Sequence, residues 1–168
     1  LLEIKGSSEA QRAQSLHFEG LTFTISDFTD DYLIPTVNKE DSVHNGLIQI
    51  EDAHNVAVQF CKIQNAGFSA VQLDKYNQDI AIYGNLIDDF GYHGVYLHGW
   101  NIGAGGYSSA AASYVSQNNL VSNNRIVNGG QLVGHGSGIY MNQSGDNEVS
   151  YNEIKTMSRG GIVVQGKA

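Results

Sequence analysis

The sequence IYGNLI (residues 82–87), followed by GVYLH (residues 94–98), has a near-copy further along the chain. The copy reads VSNNRI (residues 121–126) and then GIYMN (residues 138–142). In both places a short phrase with a central Asn precedes a Gly-led apolar phrase. The phrases are rich in β-branched residues and bounded by Gly, Asn, Asp or Ser, which predicts strands rather than helices.

The same pair of phrases recurs before and after this stretch at a nearly constant spacing. Gly46, Ala70 and Gly94 align at intervals of 24 residues, and Gly138 and Gly161 are 23 residues apart. Internal repeats of this length are the signature of a repeat architecture. Two or three short strands in each coil of fixed length predict a parallel β-helix, in which each coil stacks on its neighbours.

We therefore predict an all-β fold, a single-stranded solenoid of about five coils in one domain that covers residues 1–168. The longer gaps between phrases are one period plus an insertion, at about residues 26–43 and 100–117. The C-terminal residues stop inside a repeat and neither end has an obvious cap, although solenoids need capping units. We expect the chain to be part of a longer protein, whose remaining coils would be its partner.

Composition excludes several classes of partner. The formal net charge is −8, which argues against nucleic acid and against anionic membrane surfaces. No apolar run approaches the length of about 18 residues that a membrane-spanning helix needs. Cys61 is the single cysteine, so no disulfide can form within the chain. We also find no spacing typical of a metal site or a cofactor-binding loop, and we predict no cofactor.

One asparagine recurs at the same position in three coils. Asn85, Asn124 and Asn152 should stack about 4.8 Å apart at a tight turn. Their amides can then hydrogen-bond to one another and to the turn backbone, and Asn tolerates the left-handed conformation. Cys61 and Leu21 occupy this position in the earlier coils, so we expect the ladder to break there.

The Gly-led strands should present one outer wall. Because strand side chains alternate, Val95 and Leu97 should face inward and the residues between them outward. The predicted outward residues are, coil by coil, Ile48 and Ile50, Gln72 and Asp74, Tyr96 and His98, Tyr140 and Asn142, and Val163 and Gln165. Asp74 and His98 would then lie one coil apart, about 4.8 Å between backbones, close enough to hydrogen-bond.

The predicted catalytic residues are Asp74, His98 and Asp89. Glycoside hydrolysis needs two carboxyl groups, roughly 5–5.5 Å apart for retention or 6.5–9.5 Å for inversion. Asp74 is the first carboxylate and Asp89, across a groove, the second, while His98 acts as acid or base or orients Asp74. Each has a structural alternative: Asp74 as a solvated surface carboxylate, His98 as a ladder residue paired with it, and Asp89 as a turn residue.

Aromatic faces beside carboxylates and imidazoles suit sugar rings, which offer apolar C–H faces and many hydroxyls. The predicted substrate-binding residues border the outer wall: Tyr96, Tyr140, Asn142, Trp100, His93, His135, Gln72 and Arg159. Ordinary cross-coil stacking is the alternative for the two tyrosines, and packing of a loop base is the alternative for Trp100.

Four segments carry a family resemblance: LHFEGLTF (residues 16–23), IEDAHNVAVQFCKIQNAGFSAVQLD (50–74), IAIYGNLIDDFGYHGVYLHG (80–99) and GHGSGIYMNQSGDNEVSYNEI (134–154). Together they resemble right-handed parallel β-helix proteins of the pectate-lyase-like superfamily. Their order is similar to that in glycoside hydrolase family 141, whose members act on plant cell-wall glycans as fucosidases or xylanases. The resemblance implies a right-handed β-helix that is secreted or periplasmic and acts on a polysaccharide or oligosaccharide.

Four functions stay open from the sequence. The first is a glycoside hydrolase on a plant or algal polysaccharide. A polysaccharide lyase would need cations to neutralise uronate, and only Lys75 and Arg159 lie near the predicted wall. A non-catalytic β-helix, adhesin-like or tailspike-like, would bind glycan or protein, and a structural spacer would have no pocket. Carboxylate geometry discriminates the hydrolase from the others.

Overall fold

The computed structural model describes residues 1–8, 10–27, 46–99 and 116–165. Most of the two predicted insertions, at about residues 26–43 and 100–117, therefore lies outside the described residues. The described part of the chain contains strands, turns and bends, and no helix. It accordingly contains no helix that could span a membrane.

The strands are short, with two long exceptions that bend and continue on a second face of the coil. Their bounds are β1 Leu2–Lys5, β2 Ala13–Glu19, β3 Thr22–Thr24, β4 Gly46–Gln59, β5 Lys62–Ala66, β6 Ser69–Tyr83, β7 Leu86–Phe90, β8 Val95–His98, β9 Ser116–Gln117, β10 Leu120–Ser122, β11 Arg125–Gly129, β12 Ser137–Asn142, β13 Glu148–Ser150, β14 Glu153–Met157 and β15 Gly160–Gln165.

The strands pair in parallel and form two sheets. The first sheet has the order β1-β4-β6-β8-β12-β15, and the second has the order β14-β11-β7-β5-β3. The first sheet bends, because the first half of β4 pairs with β1 while its second half pairs with β2. Neighbours in each sheet come from successive coils, as the repeat predicted, so the all-β architecture is consistent with a β-solenoid.

The bend in the long strands follows from a local irregularity. The pairing of β4 with β6 shifts register between Glu51 and Ala53. Asp52 and Lys75 lie at the bends with positive φ angles of 45° and 60°. A non-glycine residue in this conformation turns the chain sharply, and the strand then continues on the next face. This bend places the first halves of β4 and β6 beside β8, where the candidate site lies.

The core is the inward-facing column of the Gly-led strands, as alternation predicted. Val95 and Leu97 are fully buried, as are Val71 and Leu73 in the coil before them. Ile162 and Val164 pair with Ile139 and Met141 and occupy the same column, but they are exposed at the last described strand. The remaining inward residues pack into one hydrophobic cluster in the described part of the chain.

The predicted facing of one coil is wrong. Ile48 and Ile50 were expected on the outer wall, but they pair with Val71 and Leu73 and are fully buried in the core. Gly46 pairs with Ser69 rather than with Ala70, so this coil is 23 residues long. Since side chains alternate with period two, a shift of one residue exchanges the two faces.

The asparagine ladder is confirmed. Asn85 accepts the Cys61 N–H at 2.9 Å, and Asn124 accepts the Asn85 N–H at 2.9 Å. Asn152 accepts the Asn124 N–H at 3.0 Å. Each side-chain amide also donates to a strand carbonyl, so the buried turn backbone is satisfied in each of these coils. Cys61 ends the ladder, as expected from its side chain.

Candidate functional site

The outer face of the first sheet carries two rows of side chains, fixed by the pairing of successive strands. The polar row consists of Lys5, Glu51, Asp74, His98, Asn142 and Gln165. The aromatic row consists of Glu3, Gln49, Gln72, Tyr96, Tyr140 and Val163. From β6 onward these rows match the predicted ones, and before β6 they differ by the one-residue shift.

Asp74 and His98 form the predicted pair. The Oδ1 atom of Asp74 lies 3.1 Å from Nδ1 of His98, and it also accepts the Lys75 backbone N–H at 2.9 Å. The Asp74 side chain is 0% exposed, and that of His98 is 19% exposed. Asp74 was predicted to be reached by solvent, and its burial corrects that expectation. With Nδ1–H donated to the carboxylate, the neutral imidazole has its acceptor at Nε2.

Glu51 is a second carboxylate in the same row, and the sequence reasoning missed it. It pairs in register with Asp74, so the two backbones are about 4.8 Å apart. Its side chain is 0% exposed, and its Oε2 atom lies 3.2 Å from the ammonium groups of both Lys5 and Lys75. Two ammonium groups at this distance favour the ionised carboxylate. In turn, hydrogen bonding to Glu51 raises the pKa of Lys5.

The aromatic side chains form a continuous cluster beside this row. Tyr96 and Tyr140 meet edge to face with ring centroids 5.3 Å apart. His93 stacks on Tyr140 at 4.5 Å and contacts Tyr92 at 3.7 Å. Tyr96 also lies 5.2 Å from the ring of His98, which connects the cluster to the polar row. Tyr140 is buried, so the predicted tyrosine pair exists but is less exposed than the sequence suggested.

Burial sets the protonation of the cluster. It raises the pKa of Tyr96, and the neighbouring tyrosines and Asp74 add to this effect, while a hydrogen bond with Asn142 opposes it. Burial likewise raises the pKa of Tyr140. Both phenols therefore keep their protons at neutral pH and can donate to a ligand. Asn142, predicted to bind substrate, instead has its amide engaged with the Tyr96 hydroxyl in this structure.

His93 is neutral and has a defined tautomer. Burial, and secondarily the charge of Arg159, lowers its pKa from 6.5 to about 3. Its Nδ1 atom accepts the backbone N–H of Ser137 at 3.1 Å, so the ring proton resides on Nε2. Within the described residues this buried Nε2–H has no hydrogen-bond partner.

Asp89 lies apart from Asp74. It is an exposed residue of β7 in the second sheet, in a shallow recess together with Asp88, Gln64 and Asn128. Its φ angle of 57° matches those of the residues that precede the last position of the neighbouring strands, Asn65, Asn128 and Thr156. Asp is favoured in this left-handed conformation, which gives Asp89 a backbone role in the turn column. The structure does not bring it to the outer wall.

The other predicted binding residues take different positions. Gln72 is buried in the aromatic row, His135 is exposed on the loop between β11 and β12, and Arg159 is exposed on the turn before β15. Trp100 lies outside the described residues. Among the described residues no group of three or more His, Cys, Asp or Glu side chains could hold a metal ion.

Comparison of the chain with protein-family models, with curated proteins and with solved structures gave no match. The function is therefore argued from the two rows alone.

Proposed function

We propose that the chain is a right-handed parallel β-helix that acts as a glycoside hydrolase on a plant or algal cell-wall polysaccharide. The parallel coils and the asparagine ladder support the β-helix, and parallel strand connections are right-handed in nearly all proteins. A polymer substrate of this kind lies outside the cell, so the proposal includes an extracellular or periplasmic location.

The observation that carries the proposal is the hydrogen bond between Asp74 and His98 in the polar row, with Glu51 in the adjacent coil. His98 is the member of this group that reaches solvent, and Asp74 orients its ring and stabilises the imidazolium form. The imidazolium donates its proton to the glycosidic oxygen, the bond to the anomeric carbon breaks, and water adds to that carbon. The proton released by water returns to the imidazole.

Glu51 supplies the second carboxylate that hydrolysis requires. The transition state of glycoside cleavage carries positive charge on the sugar ring, and a buried carboxylate stabilises this charge. The spacing of about 4.8 Å between the Glu51 and Asp74 backbones falls near the separation typical of retaining enzymes. The Tyr96–Tyr140 pair beside these groups offers aromatic surface to a sugar ring.

The test is a reducing-sugar assay of the full chain on xylan, pectin and fucosylated xyloglucan. We expect His98→Ala to lower kcat by about 100-fold or more, since general acid–base catalysis contributes about that much. Asp74→Asn should lower kcat with little change in KM. Asp146→Asn, which removes an exposed carboxylate at another turn, is the matched control.

Asp89→Asn belongs in the same experiment, because it shows whether the carboxylate of the second sheet takes part. Turnover that is equal in wild type, Asp74→Asn and His98→Ala would remove the assignment of this site.

A second candidate function is a non-catalytic glycan-binding β-helix. The complete burial of Asp74 and Glu51 favours it, because substrate reaches neither carboxylate in this structure. Binding to one of the polysaccharides without release of reducing ends, in wild type and variants alike, would support this function instead.

A further inference from the structure

The turn before the Gly-led strand places Tyr92, Gly136 and Arg159 at equivalent positions in successive coils. The backbone N–H of Arg159 donates to the Gly136 carbonyl at 3.0 Å. A Cβ atom added to Gly136 would lie 2.2 Å from the Tyr92 carbonyl oxygen, so these two backbones are also in contact. Tyr92 and Arg159 thus flank a position that has no side chain.

Two hydrogen-bond donors at this place have no protein acceptor. Across the described residues, the exposed guanidinium of Arg159 has no ion-pair partner and the half-buried hydroxyl of Tyr92 has no hydrogen-bond partner. Burial is the main influence on the pKa of Tyr92, His93 and Tyr140, and the charge of Arg159 acts on all three. Arg159 therefore lies within electrostatic reach of the aromatic cluster.

His93 adds a third donor beside the Tyr92 ring, 3.7 Å away between centroids. Its Nε2–H is unpartnered in the described part of the chain, and the residue is only 1% exposed. A buried donor without an acceptor costs free energy, which a ligand oxygen can recover. Arg159, Tyr92 and His93 are thus a cluster of donors that lacks an acceptor.

We propose that Arg159, Tyr92 and His93 form a subsite for the anionic substituent of a sugar, either a carboxylate or a sulfate ester. The identification of the ligand as a sugar rests on the proposed function. Arg binds carboxylates and other oxyanions through its planar fork of N–H groups, and the phenol and imidazole add two neutral donors.

The charge of the wall limits the ligand to few anionic groups. Lys5 and Lys75 both lie 3.2 Å from Glu51, so their charges are compensated. Arg159 is the uncompensated cation beside the two rows, as far as the chain is described. The net charge of −8 also repels polyanions. A largely neutral glycan with occasional acidic substituents fits these charges better than a polyuronate.

The experiment is isothermal titration calorimetry of the full chain with three matched oligosaccharides. The first bears one glucuronate branch, the second is its carboxyl-reduced form, and the third bears a sulfate ester at the same position. We expect tighter binding of an anionic ligand than of the reduced one. Arg159→Gln should weaken the anionic ligand about tenfold and leave the reduced one unchanged, since hydrogen bonds to charged groups contribute about that much.

The variants have a matched control. Arg125→Gln removes an exposed arginine of the second sheet that lies 3.7 Å from Glu153, and it should leave all three affinities unchanged. Tyr92→Phe removes only the hydroxyl and should weaken anionic binding less than Arg159→Gln does. The preferred ligand among the two anionic ones identifies the substituent.

Two outcomes overturn the subsite. One is equal affinity of wild type for the anionic and reduced ligands, and the other is equal affinity of wild type and Arg159→Gln for the anionic ligand. Because binding is measured without turnover, anionic preference in a chain that hydrolyses nothing counts against the proposed hydrolysis alone. Hydrolysis without anionic preference counts against the subsite alone.

Discussion

The buried imidazole of His93 should make the fold sensitive to acid. It is 1% exposed, and its surroundings consist of Tyr92, Tyr96, Tyr140 and the charge of Arg159. None of these groups changes protonation between pH 3 and 7. Burial, with a smaller contribution from Arg159, lowers the pKa of His93 to about 3, so the folded ring stays neutral through this range.

The size of the effect follows from the difference between the folded and unfolded chains. Above pH 6.5 neither state holds a proton on this ring, and its full contribution to stability is present. As the pH falls below 6.5, the unfolded chain takes up a proton that the folded chain refuses until about pH 3. Each pH unit in this window therefore lowers the free energy of unfolding by about 1.4 kcal/mol, or about 2.7 kcal/mol between pH 6.5 and 4.5.

The assay compares wild type with His93→Asn by urea unfolding at several values between pH 7.5 and 4.5. Asn keeps an acceptor for the Ser137 N–H but does not titrate, and all other ionisable groups are common to both chains. The difference in free energy of unfolding should shift by about 2.7 kcal/mol toward the variant as the pH falls.

His135→Asn, made on an exposed loop, is the matched control for the loss of one imidazole. A difference between wild type and His93→Asn that does not vary with pH would refute the reasoning.

Two further predictions concern the scaffold and use the same urea assay. Asn124→Ala should lower the free energy of unfolding by about 2–4 kcal/mol, because it leaves the Asn85 N–H and the Ile82 carbonyl without their partners in the ladder. Gly129→Ala should cost about 1–3 kcal/mol, because the new Cβ would lie 2.2 Å from the Phe90 ring. Its control is Gly134→Ala, where nothing lies within 4 Å, and a loss of equal size in both glycine variants would contradict the argument.

The sequence predicted those features that depend on phase within the repeat. Asn85, Asn124 and Asn152 stack, and Asp74 meets His98, because residues at the same phase of successive coils become neighbours in a parallel sheet. This inference needs only the coil length, and between Ala70 and Gly94 that length is constant at 24 residues. Facing and partner then follow from alternation alone.

Where the coil length changed, the prediction failed. The alignment of Gly46 with Ala70 put Ile48 outside and hid Glu51 from the site. A signal was present, since IQIE (residues 48–51) matches VQLD (residues 71–74) in alternation and would have placed Glu51 beside Asp74. Asp89 was assigned to the wall because its column of left-handed residues is not visible as a hydrophobic pattern.

Burial on the outer face could not be predicted either, because alternation fixes the direction of a side chain and not what packs against it. Glu51 and Asp74 point outward from the sheet and are nevertheless fully buried. Tyr140 is buried for a reason that can be traced, namely its stacking on His93, which comes from the turn rather than from the strand. Such contacts join residues at different phases of the coil, which the repeat does not relate.

The polar row is more than the scaffold requires. The fold is held by the apolar column and the asparagine ladder, and both are complete without Glu51, Asp74 or His98. A buried ion pair is often no more stabilising than apolar residues of similar size, so the removal of two carboxylates from water is not explained by stability. Exposure increases along the row from Glu51 and Asp74 through His98 to Gln165, so charge held in the interior is joined to solvent through one imidazole. This arrangement suits proton transfer at the surface, and it is the physical reason for assigning chemistry to this wall rather than to the recess around Asp89.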